Sequence, residues 1–359
     1  MITSTRHPIL VIGAGQAGLA MGWHLQRQGL DFLILEAGER PGGNWRHYYD
    51  SLRLFSPAAY SALPGRPFPG PGRYYPHRDE VVRYLEDYAT HFQLPIRYNT
   101  PIQRVSREGD GFRLHGEDGG VFECAALVVA SGAFNQPHTP AIAGLETFTG
   151  RQLHSRDYRN VEAFRGQRVV VVGAANSAVQ IAHELAAVAR VTLASREPIR
   201  FDPQRLLGLD VHFWLRWSGL DKTRWLSDQG TPVLDDGRYR RALNEGRLAR
   251  RAMFQAVSPD GVVWADGEAE AVDALIFATG FRPNLPFLAG LPVQDAQGQL
   301  LQRAGHALQV PGLFFVGQPR QRNFASATLR GVGPDAAQLL PALRRHLDAA
   351  PAPVVQAPA

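Results

Sequence analysis

The chain has 359 residues, 45% hydrophobic and 20% charged, an ordinary globular composition with length for two domains and sizeable cores. A formal net charge of +5 raises nucleic acid as a partner, but Lys222 is the only lysine and the arginines are scattered, so no basic stripe supports it. The single cysteine, Cys124, excludes an intrachain disulfide and any chemistry that needs a redox cysteine pair, and it fits a reducing, cytoplasmic setting.

Residues 8–36 read as strand, glycine turn, helix, strand. The run Pro8-Ile9-Leu10-Val11-Ile12 leads into Gly13, Gly15 and Gly18, the GxGxxG spacing of a dinucleotide-binding turn. Gly13 permits the tight turn, Gly15 lets backbone approach a pyrophosphate, and Gly18 lets helix and strand pack closely. The helix beginning at Gln16 offers its free N–H groups and positive dipole end to phosphates. Glu36 closes the second strand, where a carboxylate can accept hydrogen bonds from a ribose diol and repel a 2′-phosphate. The chain enters its first strand almost at once, so no secretory leader is expected, and no apolar run approaches the ~18 residues of a membrane helix.

Residues 40–77 are rich in Gly, Pro and aromatics, too irregular for regular structure and too aromatic for disorder; long loops of this kind are usually functional. The aromatics His47, Tyr48, Tyr49, Tyr60, Tyr74 and Tyr75 are equally readable as pocket lining or as packing beneath the loop. A helix is expected over 80–91, then short strands from Ile96 to Ala130. Next comes Phe148-Thr149-Gly150-Arg151-Gln152-Leu153-His154-Ser155-Arg156-Asp157-Tyr158, an FxGxxxHxxxY string. It precedes a second nucleotide turn, Val169 to Ala178, which keeps Gly173 but has Ala175 and Ala178 at the second and third glycine places. The strand after that turn ends at Ser195 and Arg196 with no acid at the tip. A hydroxyl and a guanidinium there suit a 2′-phosphate and favour NADPH over NADH, with a surface pairing of Arg196 and Glu197 as the plain alternative.

Residues 198–250 lose clear pattern and carry Trp214, Trp217 and Trp225, readable as a lid or simply as core and rim. Buried strands follow near 271–280 and 313–317, and the Ala/Pro-rich residues 349–359 read as a frayed, flexible tail. The expected fold is α/β, with two Rossmann-like dinucleotide-binding domains and the NAD(P) domain inserted in the FAD domain. The expected boundaries are 1–150 with 274–348 for FAD, and 151–273 for NAD(P)H.

The GxGxxG turn, the FxGxxxHxxxY string between the two turns, and Ala278-Thr279-Gly280 together resemble the class B flavin-dependent monooxygenases. Tyr158 is closer to the flavin-containing monooxygenases than to Baeyer–Villiger enzymes, and the compact length is similar to small bacterial members, including flavoproteins that accompany cation-efflux genes. The resemblance implies FAD on Gly13, Gly15, Gln16, Gly18 and Glu36, with Gly43, Asn44 and Trp45 near the isoalloxazine. It implies NADPH on Gly173, Asn176, Ser177, Ser195 and Arg196, with NADH a possible substitute. It makes His154 a hinge and cofactor-positioning residue.

The resemblance also implies a flavin C4a-(hydro)peroxide, formed from dioxygen, that oxygenates a thioether, an amine or a ketone. The protein supplies orientation and a dry cavity. Three positions depart from the family pattern. Phe55 stands where eukaryotic members place an asparagine near the flavin, Ser131 stands in the usual ATG, and Gln318 replaces an aspartate set near the flavin ribityl. Because Phe55 offers no hydrogen bond, an NAD(P)H oxidase releasing hydrogen peroxide stays open, as does a non-catalytic flavin-binding regulatory protein. The expected partners are dioxygen and a small molecule. No membrane or nucleic acid is expected, a homodimer is allowed, and no Cys/His/Asp/Glu cluster has metal-ligand spacing.

Overall fold

The computed structural model describes residues 4–223 and 232–349. Trp225 and the residues after Ala349 lie outside them.

Two sheets organise the chain. The first runs in the order Gln302–Arg303, His306–Ala307, Leu313–Phe315, Val121–Val129, Ser4–Ile12, Phe32–Leu35, Ile96–Arg97, and an antiparallel pair, Ile102–Glu108 and Gly111–Gly116, extends from the 121–129 strand. Its centre is parallel, with Val11 opposite both Ile34 and Val128. Those strands are almost wholly apolar because helices or chain cover both faces, as parallel sheets require. The helix Gln16–Arg27 packs on one face beside Leu329–Ala349.

The second sheet is all parallel: Ala249–Ala252, Arg190–Ser195, Arg168–Val172, Ala274–Phe277, Arg151–His154. It lies in sequence between the two parts of the first sheet, so one nucleotide domain is inserted in the other. The expected boundary at 274 requires correction. Ala274–Phe277 pairs with the strands at 168–172 and 151–154, and the chain returns to the first sheet only over 302–315. A short apolar run satisfies either sheet, and only the pairing, made across more than a hundred residues, decides between them.

The long C-terminal helix gives no clear sequence signal because Pro334 and Pro341 sit inside it, and each removes an N–H from the helix ladder. It persists through burial of Val332, Ala336, Leu339 and Leu343, and it is tied to the first helix where His24 Nε2 meets the Gly333 carbonyl at 2.9 Å. Residues 198–250, patternless in sequence, hold the helices Val211–Ser218 and Arg238–Asn244 and the edge strand Ala249–Ala252.

The fingerprint string is built for packing at the domain junction. Gly150 has no Cβ because one would stand 2.4 Å from the Phe148 ring and 2.7 Å from the Asp273 carbonyl. Tyr158 is fully buried against Tyr49 and Phe164, with ring centroids 6.0 and 5.7 Å away. Beside the string, strands at 136–137 and 281–282 pair antiparallel, so the two connections between domains form one ribbon.

Candidate active site

Both glycine turns open onto one cavity of about 1190 Å³. At the first turn Gly13 has φ +101, and a Cβ at Gly18 would stand 1.8 Å from the Gly13 carbonyl oxygen, so Gly18 serves the contact of helix and strand and does not line the cavity. Gly15 differs: a Cβ there would meet only Gly43 Cα, at 3.9 Å. Packing within the protein does not demand glycine at this place, whereas close approach by something in the cavity does. The helix starting at Gln16 and the helix Asn176–Leu185 both begin at the cavity, and no side chain caps either N-terminus. Two uncapped helix ends with aligned N–H groups fit two sets of phosphates. Buried polar atoms without a hydrogen-bond partner mark the same region: Ser131 Oγ and Asn176 Oδ1 on lining residues, and Gln318 Nε2 behind the wall.

Gln16, Glu36, Gly43, Asn44 and Trp45 line the first half. Glu36 is buried, and its carboxylate accepts from the Ala14 N–H at 2.5 Å and the Gly38 N–H at 2.9 Å, which aims it at the turn; lone pairs remain for a further donor. The Gln16 amide bridges the walls, accepting from Trp45 Nε1 at 3.0 Å and donating to the Ala327 carbonyl at 2.6 Å. Asn44 Nδ2 donates to the Phe134 carbonyl at 2.8 Å. Gln318 does not reach the cavity; the adjacent Gly317 does.

Gly173, Asn176, Ser177, Ser195 and Arg196 line the second half. Ser195 Oγ accepts from Arg250 Nε at 3.0 Å and donates to the Glu197 carbonyl at 2.8 Å. Arg196 is exposed and makes no ion pair with Glu197, so the surface pairing does not form. Arg250 is a second guanidinium at this tip that sequence reasoning missed. It arrives because the strand at 249–252 runs parallel to 190–195, with Arg250 opposite Leu193.

His154 does not line the cavity. It is buried, its Nε2 lies 2.9 Å from the Gly280 carbonyl, and its Nδ1 accepts the Arg156 N–H at 3.1 Å. The first contact requires an N–H at Nε2 and the second a lone pair at Nδ1, so the ring is neutral and in one tautomer. Burial holds its pKa below the ordinary histidine value. His154 therefore ties the linker to the 278–280 crossover, and no free nitrogen remains for acid–base work. Phe55 does line the cavity. Its ring lies 6.2 Å from that of His212 with planes 23° apart, and its carbonyl accepts from Gln204 Nε2 at 3.0 Å. Tyr48 and Tyr49 also reach the wall, and burial pushes the Tyr48 phenol up to about 12, so both hydroxyls stay protonated near neutrality. Tyr60, Tyr74 and Tyr75 lie off the cavity, as do Trp214 and Trp217, the latter largely exposed.

Two parallel-sheet nucleotide domains, one inserted in the other and opening on a common cavity, define a flavoprotein that takes electrons from a pyridine nucleotide. Residues 10–216 match the pyridine nucleotide-disulphide oxidoreductase family. An uncharacterized CzcO-like oxidoreductase of Geobacillus kaustophilus is 34% identical, with 94% of this chain and 98% of the relative covered. The structure of a flavin-containing monooxygenase from Stenotrophomonas maltophilia superposes with a TM-score of 0.84 at 36% identity, covering 96% of this chain and 99% of that one. S-allyl-L-cysteine S-oxygenase from Allium sativum gives a TM-score of 0.72 at 25% identity, covering 95% and 77%. The chain belongs to the pyridine nucleotide-disulphide oxidoreductase family, among its flavin-dependent monooxygenases, whose cofactors are FAD and NADP(H). Among the described residues, no helix is long and apolar enough to cross a membrane.

Proposed function

We propose that the chain is an FAD-dependent, NADPH-using monooxygenase of the cytoplasm, acting on a small soft nucleophile, a thioether or an amine, or on a ketone. The observation that carries this reading is the single cavity bounded by two uncapped helix N-termini with aromatic walls between them. FAD, when bound, would supply acceptance of a hydride from NADPH and activation of dioxygen, one oxygen atom going to the substrate and the other leaving as water. The S-oxygenase among the similar structures favours sulfur as the acceptor.

Gly13 and Gly15 let the FAD pyrophosphate reach the N-terminus of the first helix, Glu36 orients the ribose, and Gln16, Gly43, Asn44 and Trp45 shape the flavin end. Gln318 stands behind the wall at Gly317 and takes no direct part in holding the ribityl chain. Gly173, Asn176 and Ser177 hold the NADPH pyrophosphate, and Ser195, Arg196 and Arg250 receive the 2′-phosphate. His154 keeps the linker and the crossover in register. Phe55, in the cavity wall, would exclude water from the reacting end without offering a hydrogen bond.

That last property favours a second reading, an oxidase releasing hydrogen peroxide. Anaerobic NADPH should bleach the flavin of the purified holoenzyme, and rapid mixing with dioxygen should then give an absorbing species distinct from oxidised flavin. Direct return to oxidised flavin with stoichiometric peroxide would replace the monooxygenase by the oxidase. No bleaching at all would leave a flavin-binding protein without turnover.

A further inference from the structure

We propose that the buried Asp210–His212 pair is a positioning device that holds Phe55 in the cavity wall and makes water exclusion depend on docking of the inserted domain. The proposal builds on the monooxygenase reading above. Asp210 precedes the helix Val211–Ser218 and would cap it through one contact alone, the His212 backbone N–H at 2.8 Å from Oδ1. Three further donors converge on the same carboxylate: His212 Nδ1 at 2.7 Å on Oδ1, and Gln204 Nε2 at 2.9 Å and the Tyr75 hydroxyl on Oδ2. Burial alone would raise the Asp210 pKa, but bonds from His212, Tyr75 and Gln204 outweigh it and keep the group ionised.

An ionised acceptor requires the His212 proton on Nδ1, which fixes the imidazole plane. Two rings lie near parallel to that plane, Phe55 at 6.2 Å and 23° and Tyr60 at 6.0 Å and 26°. His212 is only 2% exposed, so the stack has no room to turn. Phe55 is thus held twice, by its ring on His212 and by its carbonyl on Gln204. The contacts of Phe55 with His212 and Gln204, of Tyr60 with His212 and of Tyr75 with Asp210 cross the domain boundary. Phe55, Tyr60 and Tyr75 come from the first domain, whereas Gln204, Asp210 and His212 come from the inserted one. A change in domain docking therefore acts directly on this ring of the cavity wall.

The test uses the FAD-loaded enzyme. Acrylamide quenching of bound-flavin fluorescence reads solvent access to the cavity, and peroxide formed per NADPH oxidised reads the consequence. His212→Ala should raise both about two- to tenfold, the range for loss of one ring contact. Flavin reduction by NADPH should change little. His212→Phe keeps a ring beside Phe55 and Tyr60 but loses the bond to Asp210, and should restore part of the protection, which a general loss of stability would not allow. If His212→Ala loses its flavin, Tyr75→Phe removes a single bond to Asp210 and should move both readings in the same direction. Wild-type quenching in His212→Ala or Tyr75→Phe, or no rescue by His212→Phe, would overturn the proposal. A wild-type enzyme that returns all its reducing equivalents as peroxide would fail the monooxygenase reading instead, and quenching would still judge the positioning of Phe55.

Discussion

Arg196 and Arg250 give the sharpest test of the second nucleotide site. Arg196 is exposed at the rim of the cavity with no carboxylate bound to it among the described residues, and Arg250 donates to Oγ of the adjacent Ser195 at 3.0 Å. A charge-assisted hydrogen bond to phosphate is worth roughly 1.5–3 kcal/mol. Solvent screening at an exposed position takes Arg196 to the lower half of that range, about 10- to 30-fold in kcat/KM. Arg196→Ala should therefore reduce kcat/KM for flavin reduction by NADPH about 10- to 30-fold, mainly through KM, while NADH changes less than about twofold. Arg250→Ala should fall in the same direction, and the double variant should lose less than the sum because both guanidinia serve one phosphate. The assay is anaerobic stopped-flow reduction with each nucleotide in turn. Equal losses with NADPH and NADH would refute the assignment of this tip to the 2′-phosphate.

Phe55→Asn places an amide in the cavity wall and should lower peroxide release per NADPH; unchanged release, measured by peroxidase-coupled assay, would mean that residue 55 does not control it. Gly150→Ala drives a methyl into the Phe148 ring and the Asp273 carbonyl, and should cost about 1–3 kcal/mol in urea unfolding. Asp273 is held down to about 2 by hydrogen bonds from the Arg168 side chain and backbone N–H. Its folded value lies below the unfolded one, so its stabilisation is present above about pH 4 and is lost as pH falls toward 2. With the carboxylate 37% exposed, the effect is about 1 kcal/mol or less, and Asp273→Asn should flatten that part of the stability curve. His154 behaves in the opposite sense to a paired histidine. Its folded value is depressed by burial, so the unfolded chain takes the proton first, and stability should fall below about pH 6.5. His154→Gln should remove that contribution in a pH series of unfolding curves.

The parts legible in the sequence are those with a local cause. The turn at Gly13–Gly18 is set by steric demands within six residues, the helix that follows by its apolar period, and Glu36 by the end of a four-residue strand. The two turns, the inserted order of the domains and the cavity-lining Gly13, Gly15, Glu36, Gly173, Ser195 and Arg196 could be read from such signals, and the family resemblance added Gly43, Asn44 and Trp45. The long C-terminal helix could not, because two prolines argue against it locally while burial along the first helix outweighs them.

What only the tertiary structure decided is non-local. Ala274–Phe277 is equally apolar for either sheet, and its pairing with 168–172 moved the domain boundary. Gln318 neighbours the cavity-lining Gly317 in sequence but does not line the cavity itself, whereas Arg250, with no signal of its own, reaches Ser195 through its parallel partner strand. His154 stands in the most conspicuous string of the chain, yet both its nitrogens are spent on backbone at the junction. Phe55 meets His212 across more than 150 residues of chain. Short-range sterics and periodicity write themselves into neighbouring residues. Contacts that close between two domains depend on how the domains dock, and no local pattern records that.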